Sequence, residues 1–126
     1  MLITNPLLVF FYKQRQILGF VCGFIAISVS TLTPIDQLPS VSGSDKLHHV
    51  IGFGSWVLLS CLGSFNRLLK MSVFIFIWGG VIELIQPYVN RYGEWQDFVA
   101  NSIGILLALC LVAVYRRYCM KALNHL

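Results

Sequence analysis

The stretch LKMSVFIFIWGGVIELIQ, Leu69–Gln86, decides the fold class. Between Met71 and Ile82 it is apolar on nearly every face, with only Ser72 and two glycines as exceptions. A helix buried in a soluble bundle keeps one polar stripe for water, and this one has none, so its natural solvent is lipid. Its length is close to the ~20 residues that cross a hydrocarbon core about 30 Å thick. Pro87 follows at once and cannot continue a helix, which sets the end of the segment.

Working outward, three further stretches share this character: 17–34, 47–65 and 98–115. The 126-residue chain is 57% hydrophobic and 11% charged, with a mean hydropathy of +0.77. A soluble domain carries about 25% charged residues, so this chain lacks the charge to cover a water-facing surface. The expected architecture is an all-α integral membrane protein, a single domain over 1–126 built as a bundle of four transmembrane helices. Loops are expected around Thr33-Pro34 to Gly43, at a tight turn through Asn66-Arg67, and after Pro87. Leu7–Tyr12 is apolar but is followed by Lys13 and Arg15, and it reads as an interfacial helix with its charges at the headgroups. Ser28-Val29-Ser30 faintly imitates a signal-peptidase site, but the long region before it argues for a retained span.

Charge distribution sets the orientation. Lys13, Arg15, Arg67, Lys70, Arg116, Arg117 and Lys121 fall on one side of such a bundle, and only Lys46 and Arg91 on the other. The bias places both termini in the cytoplasm of a plasma or inner membrane, crossed several times. The net charge of +4 is thus a topology signal, and no nucleic-acid partner is expected. Cys22, Cys61, Cys110 and Cys119 form no CxxC pair; they read as small packing residues, with neither a disulfide framework nor a zinc site.

Against this background the polar residues stand out. Glu83 lies inside an apolar span, where an ionised carboxylate is expensive and turns toward a bundle interior or a cavity. Gln86 and Gly79 share its helix face at i+3 and i−4. Asp45, Lys46, His48 and His49 open the second span, with Asp45 and His49 spaced so that the acid can hold the imidazole. Asp45 also suits a helix cap. Asp97 and Asn101 open the fourth span on one face, continued by Gly104 and Ala108. With both termini inside, three helices deliver these groups to the outer third of the bundle, within about two turns, or ~11 Å, in depth. His49, Glu83, Asp45 and Asp97 are the candidate catalytic residues, and Gln86, Arg91, Asn101 and Lys46 the candidate substrate-binding ones. A histidine among three carboxylates has donors for a divalent cation, but the spacing matches no familiar ligand motif. No metal or cofactor is assigned.

These elements resemble the VanZ-like family of bacterial membrane proteins over about 45–104. The similarity rests on a DKxxH element (Asp45, Lys46, His49) with Phe53 beyond it, a GxxxExxQ element (Gly79, Glu83, Gln86), Arg91, and a DxxxNxxG element (Asp97, Asn101, Gly104). Val89-Asn90-Arg91 stands where the family often has Pro-Gly-Arg, and His48 is an additional histidine. The family is named after a protein associated with resistance to teicoplanin, which binds lipid-linked cell-wall precursors. The resemblance implies a cell-envelope role at the outer membrane face.

Two functions follow as expectations. In the first, the pocket binds or modifies an amphipathic substrate such as a lipid-linked envelope precursor or a lipoglycopeptide. Arg91 and Lys46 attract its anionic head, and His49 and Glu83 are available for acid–base work. In the second, the chain is a non-catalytic helical subunit or partner and its polar cluster fastens helices together. An ion or proton carrier is the weaker third class, because one intramembrane acid near one face leaves no relay to the other side.

Overall fold

In the computed structural model, residues 5–40 and 42–123 are described, and among them the protein is all-helical with no strand. Four helices follow in order: α1 Pro6–Leu32, α2 Asp45–Leu59, α3 Phe65–Ile85 and α4 Trp95–Leu123. Short 3-10 turns follow α1 (Ile35–Gln37) and α3 (Gln86–Val89).

The helix ends have local causes. The Asn5 side chain accepts from the Leu7 amide at 2.9 Å and Pro6 occupies the first turn, which starts α1. Nothing between Tyr12 and Ile17 breaks the helix, so the segment expected as a separate interfacial helix is instead the beginning of α1. Ser44 caps α2 by accepting from the Leu47 amide at 3.2 Å; Asp45 therefore sits in the first turn, not at the cap. The turn before α3 spans Ser60 to Ser64, earlier than expected, and Asn66-Arg67 belong to the first turn of α3. Helix α3 ends one residue before Gln86, as Pro87 requires.

α1, α3 with its following 3-10 turn, and α4 are long and apolar enough to cross a membrane. α2 has 15 residues, about 22 Å at 1.5 Å per residue. One face of it is enclosed, with Phe53, Trp56 and Val57 at most 1% exposed, while Leu47, Ile51, Leu58 and Leu59 lie exposed on the other; it packs most extensively on α4 and then on α1. The outer faces of the other three helices are apolar. Ile25, Val29, Val73, Ile77, Leu84, Leu106, Leu107 and Leu111 all lie exposed, an apolar surface far larger than a water-soluble monomer carries.

Side-chain bonds at the two ends show the helices running alternately up and down. At one end Gln16 of α1 donates to the Ser64 carbonyl, and Arg116 of α4 donates to the carbonyls of Cys61 and Gly63. These bonds satisfy the carbonyls of the α2–α3 turn. At the other end Gln86 donates to the Thr31 carbonyl at 3.1 Å, and His49 meets Asn101. Between the ends lies a core of Phe53, Trp56, Leu68, Ile75, Ile82 and Ile105. The Trp56 indole there donates to the Phe20 carbonyl at 2.9 Å. All four cysteines are free.

Glycine lets α2 and α4 touch backbone to backbone. A Cβ on Gly104 would overlap the Val50 carbonyl oxygen and crowd the Gly54 amide. One on Gly54 would come within 3.1 Å of the Gly104 carbonyl oxygen. This crossing lies one helical turn below His49 and Asn101, and it fixes how far apart their side chains start.

Candidate functional site

His49 is the hub of the polar end. It is 5% exposed, and Asp97 and Asn101 are each 1% exposed. Its Nδ1 lies 2.8 Å from Asn101 Oδ1. The Asn101 amide nitrogen donates in turn to Glu83 Oε1 at 3.5 Å. A carboxylate only accepts, so the amide NH2 faces Glu83 and its oxygen faces the histidine. Nδ1 therefore carries the proton and donates it to Asn101, which leaves Nε2 pointing away from α4's amide toward the mouth of the site.

Two carboxylates flank that nitrogen without bonding to it. Asp97 Oδ2 is 3.8 Å from Nε2 and Asp45 Oδ2 is 4.0 Å away, both beyond the usual hydrogen-bond range of about 2.7–3.2 Å. The expected Asp45–His49 clasp is thus open. The i, i+4 spacing does bring the two residues to one face, but Asp45 lies in the first turn with its side chain 61% exposed. The group that orients the ring is Asn101, across the glycine crossing.

Glu83 accepts from the Glu94 amide at 3.1 Å as well as from Asn101. The loop reaches it because Gly93 lies against the Glu83 carbonyl and the Pro87 ring, where a Cβ would collide. Glu83 therefore sits behind Asn101, and faces a shallow groove with Ile77, Gly80, Leu84, Trp95 and Phe98.

Lys46 ion-pairs with Glu94 and lies 2.9 Å from Asp97 Oδ1. Those two partners, Glu94 foremost, hold its ammonium well above the usual lysine range. Its charge is thus paired within the protein, although its side chain remains 44% exposed. Glu94 was not anticipated as part of the site; its signal was an acid three residues before Asp97 at the start of α4. Gln86 turns the other way, 1% exposed, and ties α3 to the end of α1.

A crevice of about 690 Å³ opens beside this network. Asp45, His48 and His49 form one wall, Ile27, Ser30 and Thr31 of α1 the opposite one, and Arg91 and Tyr92 lie at its rim. Gly52 and Phe53 continue it into the bundle. Arg91 donates to the Thr33 carbonyl at 3.4 Å and makes no ion pair among the described residues. Of the eight sequence-derived site residues, Lys46, His49, Glu83, Asp97 and Asn101 form one network connected through Glu94, and Asp45 stands beside it, 4.0 Å from His49. Arg91 joins them across the crevice, and Gln86 stands apart. Comparison with protein-family models, curated proteins and solved structures returns no match to this chain.

Proposed function

We propose that the chain is a four-span protein of the bacterial cell envelope, with both termini in the cytoplasm and the His49 crevice opening at the outer face. Seven of nine basic residues lie at the end opposite the crevice, which supports this orientation. α2 would be the fourth span: packed along one face on α4 and α1 and apolar at Leu47, Ile51, Leu58 and Leu59 on the other, it traverses the bundle between the His49 and Cys61 levels.

The crevice binds or modifies an amphipathic substrate with an anionic head, such as a lipid-linked envelope precursor or a lipoglycopeptide. One observation carries this reading: a cleft with an imidazole in its wall, and at its rim a guanidinium with no ion pair among the described residues, runs between α1 and α2 into apolar packing. The VanZ-like motifs over 45–104 point to the same compartment. Arg91 supplies the head-group cation. His49 supplies the acid–base group, with its tautomer fixed by Asn101.

The test is retention of envelope lipids by purified protein, read by mass spectrometry after washing. Wild type should enrich a head-group class that Arg91→Ala and His49→Ala lose. Equal retention by all three proteins would reject the reading.

A second reading has its own support. The Gln86 amide nitrogen and the Lys46 ammonium make internal bonds, as expected if the cluster only fastens helices in a non-catalytic subunit. In that case Arg91→Ala and His49→Ala leave the protein's cellular role intact whenever the protein is present at normal levels.

A further inference from the structure

His49 Nε2 opens toward the crevice beside two acids. It has no hydrogen-bond partner among the described residues and faces carboxylate oxygens at 3.8 and 4.0 Å. A neutral ring aims a lone pair at two acidic groups, which is repulsive, and a protonated ring finds no acceptor within hydrogen-bond reach. The surroundings are also short of positive charge. Asp45, Glu94 and Asp97 converge here against the single ammonium of Lys46, which is already engaged by Glu94 and by Asp97 Oδ1. A small cation between Nε2 and the two remaining carboxylate oxygens resolves both problems.

We propose that Asp45, His49 and Asp97 form a binding site for a divalent transition-metal ion of the Zn2+ or Mn2+ kind. Their donor atoms already lie within 4.8 Å of one another. Three donors at ~2.1 Å from a tetrahedral ion stand about 3.4 Å apart, so the two pairs that include Nε2 close by roughly half an ångström and the widest pair by up to about 1.4 Å. Most of that movement falls to Asp45, whose side chain is 61% exposed, and a small rotation of the Asp97 carboxylate brings Oδ2 from 3.8 Å into range. An imidazole with two carboxylates is a donor set for zinc, manganese or iron rather than for calcium or magnesium.

The neighbouring bonds fit the same role. Metal-bound histidines usually donate their second ring N–H to a fixed acceptor, which sets the tautomer and the ring plane. Here Asn101 Oδ1 is that acceptor, and Glu83 holds the Asn101 amide. Lys46 on Asp97 Oδ1 leaves Oδ2 as the free donor. Glu83 is thereby a positioning residue two bonds removed from the metal. Three protein ligands leave at least one coordination position for an outside oxygen, and both Asp45 and His49 line the crevice. That this oxygen belongs to an anionic head group rests on the function proposed above; metal binding itself does not.

The experiment uses the full chain in detergent, stripped with chelator, dialysed, and titrated with Zn2+ against a chromophoric competitor, and separately with Mn2+ followed by its EPR signal. No lipid is added, so the result is independent of the lipid-retention test. Wild type should take up one ion per chain by both probes. Asp45→Ala, at an exposed position that leaves the core untouched, should bind at least about tenfold more weakly, and Asn101→Ala about 10–100-fold more weakly as loss of an outer-shell partner. The Mn2+ arm separates this site from the four cysteines, which favour zinc. No Mn2+ uptake, or equal affinity in wild type and Asp45→Ala, would overturn the proposal. Retained folding of Asp45→Ala is checked by its unchanged thermal midpoint without metal.

Discussion

Asn101 Oδ1 accepts from His49 Nδ1 at 2.8 Å, across the point where Gly54 and Gly104 bring α2 and α4 into backbone contact. The pair joins residues 52 positions apart and determines which histidine nitrogen faces the crevice. Everything chemical at this end of the protein depends on that choice, because it leaves Nε2 free among carboxylates.

Removing the acceptor should be costly. Asn101→Ala leaves a buried imidazole N–H and a Glu83 oxygen without partners; an unsatisfied buried group costs about 1–3 kcal/mol, and interhelical bonds in membranes average nearer ~0.6. We expect about 1–2 kcal/mol of destabilisation, measured by unfolding in mixed micelles. Asn101→Asp should recover little of it, since its carboxylate still accepts from Nδ1 but meets Glu83 Oε1 acceptor to acceptor.

Gly104→Ala tests the crossing. Its Cβ meets backbone, which cannot step aside as a side chain does. Overpacking of this kind costs about 1–3 kcal/mol, and it should also separate His49 from Asn101, seen as a shifted imidazole resonance. Gly80→Ala is the control. There a Cβ meets only the Phe98 ring at 3.4 Å, an ordinary contact, so stability should stay within about 1 kcal/mol of wild type.

Glu83 separates charge from hydrogen bonding. Glu83→Gln keeps an oxygen for the Glu94 amide and should fold to near wild-type levels. Glu83→Leu abandons both the Glu94 amide and the Asn101 NH2, and should lose about 1–3 kcal/mol. If both variants unfold at the wild-type midpoint, Glu83 does not hold the loop.

Lys46 gives a pH dependence of definite sign. Glu94 and Asp97 raise its pKa above the ordinary 10.5, so the folded state holds this proton more tightly than the unfolded chain. The resulting stabilisation is complete below pH 10.5 and fades as pH rises through the raised value. The thermal midpoint of wild type should exceed that of Lys46→Met by a constant margin up to about pH 10.5, then converge on it as pH rises further. A margin that shrinks on acidification from neutrality to pH 6 would show that the ion pair is not its source.

The apolar runs carried the helical class plainly. Met71–Ile82 has no polar stripe, Pro34 and Pro87 stop their helices from within the local sequence, and Glu83 in such a run announced a polar interior. Depth was legible too, because alternating helices place the ends of α1 and α3 beside the starts of α2 and α4. These are properties of a chain read a few residues at a time: periodicity, hydropathy and the rigidity of proline.

Partnership was not legible. From spacing alone Asp45 was the natural clasp for His49, Lys46 a cation for ligands, and Gln86 a neighbour of Glu83 within the pocket. The fold assigned the clasp to Asn101, bound Lys46 to Glu94 and Asp97, and turned Gln86 toward Thr31. Which polar groups meet depends on how closely two helices cross and how each is rotated. Here that was settled by Gly54, Gly104 and Gly93 acting on residues distant in the chain, and local patterns hold no information about such distances.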